Sequence, residues 1–172
     1  MELANKEGYC FGAKLVRGAY MEQERERAFN MGYEDPINEN FDATTKMYES
    51  SLMHSLEEIK KKPGFVNIMV ASHNEDTIRF AIEKMDEFGI RPNDNYICFG
   101  QLYGMCDFIS FYLGESGYSA FKYVPYGPVE EVLPYLSRRM TENGKGLFEK
   151  LDKEKKLIAK EIKRRFDNLE FL

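Results

Sequence analysis

Two adjacent arginines, Arg138 and Arg139, stand just upstream of Glu142 in the stretch FKYVPYGPVEEVLPYLSRRMTENG. On a helix, residues three and four apart face one another, so the Glu142 carboxylate is within reach of either guanidinium. Paired guanidinium forks grip a planar carboxylate or phosphate far better than lysines do. The same three residues also suit a solvated helix end, with cations complementing the dipole and pairing with Glu142. Taken alone, the stretch fits both readings. A second group is Lys14 and Arg17 within the apolar run AKLVRGAY. A cation there costs free energy unless an anion, a ligand or solvent satisfies it, which marks the run as close to a site. The alternatives are an edge strand guarded by charge and a Schiff-base lysine in an aldolase-like barrel. Ser72, His73 and Asn74 form a third group where an apolar run meets a helical pattern. Such a junction can receive a polar or anionic ligand, or Ser72 or Asn74 can simply cap the helix.

These residues need elements to hold them. Alternation predicts a first strand over 13–20, with Lys14, Val16, Gly18 and Tyr20 on one face and Ala13, Leu15, Arg17 and Ala19 on the other. The mixed charges of 21–40 read as a solvated excursion with a turn at Asp35 and Pro36. Met47, Tyr48, Leu52, Leu56 and Ile59 recur at helical spacing within 41–62, before a stop at Pro63 and Gly64. A second strand over 66–71 leads through Ser72 to a helix opened by Glu75 and Asp76, with Ile78, Ala81, Ile82, Met85 and Phe88 on one face. A third strand over 96–102 precedes a short helix around 107–112, and a fourth strand spans 120–124. The arginine pair then rides a helix starting near Pro128, disturbed at Pro134 and ending at Asn143 and Gly144. Residues 146–172 read as a separate amphipathic helix with a solvated charged face.

Strand and helix alternate four times, and the polar candidates gather at or after strand C-terminal ends, as in α/β proteins whose site lies on that face. An open parallel sheet and four βα units of a barrel both fit, whereas a closed eight-stranded barrel takes ~250 residues. The 172 residues are 43% hydrophobic with net charge -5, and the pI is near 5.3. That predicts one soluble unit and argues against a nucleic-acid module. No apolar run approaches the ~20 residues of a membrane span, and MELANKEG lacks the cationic and apolar regions of a signal peptide. Cys10, Cys98 and Cys106 share no metal or redox spacing, which favours buried thiols in a reducing compartment over disulfides or zinc.

KLVRGAY, ASHNEDT, FGQLYGM, KYVPYGP and PYLSRRMTENG, in this order and at these separations, resemble the C-terminal half of the catalytic domain of proline dehydrogenases (proline oxidases) of eukaryotic type. The DPIN turn and the helix after it share the resemblance, which runs from about Tyr9 to Gly144. It implies an α/β fold: the C-terminal half of a (βα)8 TIM-like barrel, with four βα units over 1–145 and a C-terminal helix over 146–172. It also implies FAD as cofactor and oxidation of L-proline to Δ1-pyrroline-5-carboxylate by hydride transfer from C5 to flavin N5. Electrons would pass to ubiquinone, with peripheral membrane contact and a mitochondrial location. By the same resemblance Arg138 and Arg139 bind the proline carboxylate, and Tyr123, Glu142 and Leu102 line that pocket. Tyr123 fills the space a 4-hydroxyl would need. Lys14 stands where many members carry an arginine near N5, keeping the cation without the fork. Val16, Arg17 and Gly18 match a flavin-contacting segment in which Arg17 offers charge to the phosphates, and Ser72 and His73 match a Thr-His pair that contacts FAD. The site residues that members carry on the first four strands have no counterpart here. Hydroxyproline oxidation, and a non-catalytic half-barrel that binds or dimerises, are the alternative expectations.

Overall fold

The computed structural model describes residues 1–168, leaving out the side chains of Met140, residues 142–151, Lys153 and Asn168. A short helix α1 (Glu2–Glu7) leads to strand β1 (Phe11–Val16), followed by helices α2 (Met21–Met31) and α3 (Phe41–Lys61). Strand β2 (Val66–Ala71), helix α4 (Glu75–Glu87), strand β3 (Ile97–Leu102), helix α5 (Asp107–Glu115) and strand β4 (Ala120–Tyr123) come next, and helix α6 (Val129–Asn168) is the last described element. The four strands form one sheet in the order β1-β2-β3-β4. Every neighbouring pair is parallel, with Lys14 opposite Met69, Ala71 opposite Gly100 and Leu102 opposite Tyr123.

Helices α3 and α4 form where caps and apolar stripes agree. The Asn40 side chain accepts the Ala43 N–H at 2.8 Å and starts α3, which buries Tyr48, Leu52, Leu56 and Ile59. Asn74 does the same for Thr77 at 2.9 Å at the start of α4, which buries Ile78, Ala81 and Met85. These side chains pack with Val66, Ile68 and Val70 of β2, Ile97 and Phe99 of β3, and Ile109 and Leu113 of α5 in a single core. Each large apolar side chain buried there contributes ~1.5–3 kcal/mol.

Four expectations change. Strand β1 ends at Val16, because Gly18 (φ 62°) and Tyr20 (φ 58°) adopt left-handed backbone that an extended strand excludes. The charged excursion contains α2, which buries Ala28 as its single anchor. Cys106 is buried, whereas Cys98 is half-buried and Cys10 exposed. The break at Asn143 and Gly144 is absent, since α6 is one helix of 40 residues running through both. Glycines inside a helix cost ~1 kcal/mol each relative to alanine, and strong helix formers on both sides carry the helix past them. Pro134 also lies inside it; the N–H it lacks would have met the carbonyl of Glu130 in the solvated first turn, where water replaces the bond.

The core lies on one face of the sheet only. The alternation in β1, β2, β3 and β4 puts Gly12, Lys14, Val16, Asn67, Met69, Ala71, Cys98, Gly100, Leu102, Phe121 and Tyr123 on the other face. None of these belongs to the buried core. Fully parallel sheets are ordinarily covered on both faces. Among the described residues no helix layer covers the other, bare face, and the two outer strands, β1 and β4, each have one unpaired edge.

Candidate active site

The C-terminal ends of the four strands share one end of the bare face. In register across it lie Val16, Ala71, Gly100 and Phe121. The two central residues of that row are small, so the face offers a flat floor between two larger side chains. A Cβ at Gly100 would come within 3.0 Å of Met69 Sδ, so the floor is already filled to its surface. Lys14 is exposed one pleat below this row. Leu102 and Tyr123 stand side by side one pleat above it.

His73 organises the junction after β2. Its Nε2 accepts the backbone N–H of Leu102 at 2.9 Å, and its carbonyl accepts the Cys106 thiol at 3.5 Å. Accepting through Nε2 places the ring proton of a neutral imidazole on Nδ1. The strand end that carries Leu102 is thereby tied to the strand end that carries Ser72. Ser72 is buried, and its Oγ accepts the Asn74 N–H at 3.0 Å, leaving the hydroxyl proton as a donor. The first turn of α4 contains Glu75 and Asp76, and Asn74 already satisfies the Thr77 N–H. That helix terminus is therefore a poor anion seat, and the polar group offered at this junction is Ser72 itself.

Helix α6 meets β4 through aromatic contacts. The rings of Tyr123 and Tyr135 lie 5.7 Å apart at 50°, and Arg139 Cζ sits 5.4 Å from the Tyr135 ring centroid. Arg138 is exposed and makes no hydrogen bond or ion pair among the described residues. The structure thus brings Tyr123 and Arg139 together through Tyr135, with Arg138 on the same stretch of helix. The side chain of Glu142 lies outside the described residues. Tyr135, not singled out by the motifs, joins this candidate cluster through both contacts. Its spacing of four from Arg139 on one helix face was the signal available.

Arg17 goes elsewhere. Its side chain runs into the helix layer, donating to Thr77 Oγ1 at 2.8 Å and to Thr45 Oγ1 at 2.6 Å, with Cζ 4.7 Å from the Phe41 ring centroid. Burial pushes the Tyr48 phenol well above the usual tyrosine range, against the opposing pull of Arg17. Gly18 remains at the turn with φ 62°; a Cβ there would meet Met21 Sδ at 3.5 Å, and the strained φ favours glycine. An open cleft follows this turn, lined by Gly18, Met21, Ile37, Thr44, Met47 and Tyr48.

A family model described as proline dehydrogenase matches residues 1–147. The chain belongs to the proline dehydrogenase family. It is 59% identical over 171 residues to "Proline dehydrogenase 1, mitochondrial" of Drosophila melanogaster, a match covering 96% of this chain and 25% of that protein. It is 45% identical over 164 residues to the hydroxyproline dehydrogenase of Bos taurus, covering 95% of this chain and 35% of that protein. Among solved structures, proline utilization A from Bdellovibrio bacteriovorus, inactivated by N-propargylglycine, superposes with a TM-score of 0.71 at 32% identity, covering 83% of this chain and 14% of that one. The chain therefore spans a quarter to about a third of the curated relatives it matches. The expected α/β class, a TIM-like half-barrel of four βα units, is the class found, with the expected C-terminal helix continuous with the last unit's helix. In barrels of this class the face of the sheet turned away from the helices is the interior.

Proposed function

We propose that this chain supplies the proline-binding and flavin-binding half of an FAD-dependent proline dehydrogenase, which oxidises L-proline to Δ1-pyrroline-5-carboxylate within a completed barrel. The observation that carries the reading is the convergence, at one end of the bare face, of a flat small-residue floor, a cation and an aromatic-arginine cluster. The residues present fit a flavin. The Ala71–Gly100 floor, levelled by the Met69 side chain that lies against Gly100, offers a planar ring system a flat surface, and the turn at Gly18 leaves backbone open to close approach. Val16, Gly18, Ser72 and His73 would hold the cofactor along that end, with Lys14 placing positive charge beneath the floor.

FAD, when bound, supplies the acceptor for the two electrons removed from the amine. The chain's own residues do the rest. Arg138 and Arg139 grip the substrate carboxylate, and two forks on one anion fix its orientation as well as its position. Tyr135 holds Arg139 by a cation–π contact, an interaction worth ~0.5–2 kcal/mol that limits where the guanidinium can go. Tyr123 and Leu102 pack on the pyrrolidine ring, and His73 holds Leu102 through its backbone N–H. Glu142, whose side chain lies outside the described residues, is assigned to the same pocket by the family's motif alone. Tyr123 also excludes a 4-hydroxyl, which favours proline over hydroxyproline, the substrate in the name of the bovine relative. Ubiquinone as electron acceptor, peripheral membrane contact and a mitochondrial location complete the proposal. They are supported by the family and, for the location, by the names of the relatives. Among the described residues no helix is long and apolar enough to cross a membrane.

The test is the visible spectrum of the purified chain after incubation with FAD and gel filtration, before and after anaerobic addition of L-proline or 4-hydroxyproline. A retained flavin bleached faster by proline is the expected result. Faster bleaching by hydroxyproline would transfer the reading to the alternative substrate, and complete loss of flavin would overturn it for the chain on its own.

A further inference from the structure

Arg17 carries a role different from the phosphate contact its motif suggests. Its guanidinium joins three elements. It leaves the end of β1, donates from Nη1 to Thr77 Oγ1 at 2.8 Å and from Nη2 to Thr45 Oγ1 at 2.6 Å, and lies over the rings of Phe41 and Tyr48, with centroids 4.7 Å and 5.9 Å from Cζ. Thr77 belongs to the first turn of α4 and is 3% exposed. Thr45 spends its own hydroxyl proton on the Phe41 carbonyl at 3.0 Å, so toward Arg17 it acts only as an acceptor. A second tie runs alongside, from the Tyr48 hydroxyl to the Leu15 carbonyl at 3.3 Å. All four of these partners lie in the helix layer, on the side of the sheet opposite the bare face.

We infer that Arg17 is a positioning residue: it clamps the first turns of α3 and α4 onto the end of β1 and thereby fixes the Val16–Gly18 backbone, rather than serving as a ligand to cofactor phosphates. The geometry requires arginine. A planar fork can donate to two hydroxyls while stacked on an aromatic ring, whereas a lysine ammonium is a point donor that cannot span both. Without the clamp, Thr77 is left with a buried hydroxyl and no partner, and the left-handed turn at Gly18 loses its anchor on one side. The clamp stands on the geometry of the flavin-free chain; only its service to a cofactor rests on the function proposed above.

The test compares Arg17→Lys, Arg17→Met, Thr77→Val and Thr77→Ser in the full chain by urea unfolding without flavin, by the amide resonance of Gly18, and by flavin affinity at two salt concentrations. A clamp predicts that Arg17→Lys fails as badly as Arg17→Met, each lowering the folded-to-unfolded ratio about tenfold, as expected for a lost charged hydrogen bond. Thr77→Val should reproduce the loss and the Gly18 shift, Thr77→Ser should rescue both, and Arg17→Met combined with Thr77→Val should be no worse than Arg17→Met alone. The salt dependence of flavin affinity should stay unchanged in Arg17→Met. The inference is overturned if Arg17→Met leaves flavin-free stability and the Gly18 resonance unmoved, or if Arg17→Lys retains flavin affinity that Arg17→Met loses in a salt-dependent way. Should Arg17→Met fail to fold, the Thr77 pair still decides the question. Should the chain bind no flavin at all, the proposed function fails for the chain on its own while the stability and resonance results still judge the clamp.

Discussion

Replacing Gly100 by valine separates the role of the bare face from the stability of the fold. Gly100 sits in β3 between Ala71 and Phe121, and its backbone is outside the left-handed region, so a β-branched residue suits the conformation. The new Cβ meets Met69 Sδ at 3.0 Å and Met69 Cγ at 3.4 Å. Met69 is only half-buried on an open face and can swing aside, at a cost of ~0.5–1.5 kcal/mol if it leaves its preferred rotamer. Removing a glycine from a strand interior returns ~0.5–1 kcal/mol. The two effects nearly cancel, so the unfolding free energy of Gly100→Val should lie within about 1 kcal/mol of the parent. One residue earlier and on the opposite face, Phe99 is fully buried and stands edge-on to Tyr118 at 5.7 Å. Phe99→Ala should cost ~3–5 kcal/mol. Urea titration measures both variants, and flavin-fluorescence quenching then asks what the added isopropyl group does to the floor. Gly100→Val should keep the fold and lose flavin affinity by at least about tenfold, equivalent to ~1.4 kcal/mol. If it destabilises as much as Phe99→Ala, the face is packed rather than open. If it binds flavin like the parent, the floor is not where the ring system lies.

Thiol reactivity should follow exposure: Cys10 reacts first, Cys98 slowly because burial pushes its thiol pKa up, and Cys106 only on unfolding. Covering the bare face with flavin or with further barrel strands should slow Cys98 selectively, read by mass spectrometry after timed alkylation. Hydrogen bonds from Arg164 and then Arg165 hold the Glu161 carboxyl at about 2, below its ordinary 4.5. Its helix-stabilising effect is therefore complete above the ordinary value and is lost as pH falls through about 2. Far-ultraviolet circular dichroism should show helix loss across that window, smaller in Glu161→Gln. Tyr123→Ser opens the space beside the ring and should let 4-hydroxyproline bleach bound flavin faster than it does in the parent; an unchanged rate would remove Tyr123 from the pocket.

The sequence made the scaffold legible where local and tertiary preferences agree. The limits of β2 follow from a β-branched run closed by Ser72, and α3 and α4 follow from an asparagine cap joined to an apolar stripe. It was less informative where backbone geometry or long-range contacts decide. The end of β1 depends on left-handed conformations at Gly18 and Tyr20, which alternating hydrophobicity cannot register. Helix α2 buries little beyond Ala28, so it lacks the stripe that marks a helix. The unbroken α6 shows that Asn143 and Gly144 are permissive for a helix end without compelling one. Within the site, motifs named Leu102 and His73 separately; the hydrogen bond joining them spans two strands and needs the fold. At Arg17 the motif suggests a ligand contact, whereas the partners the fold gives it are two threonines and two aromatic rings.

The central claim is that the bare face of this half-barrel is the flavin- and proline-binding surface. An amide chemical-shift map of the isotope-labelled chain titrated with FAD and then with L-proline tests it directly, because it registers even weak binding by an open face. Shifts are expected at Val16, Gly18, Ala71, Ser72, His73 and Gly100 with FAD, and at Leu102, Tyr123, Tyr135, Arg138 and Arg139 with proline. Shifts confined to the helix layer, or none at either end of the strands, would contradict it.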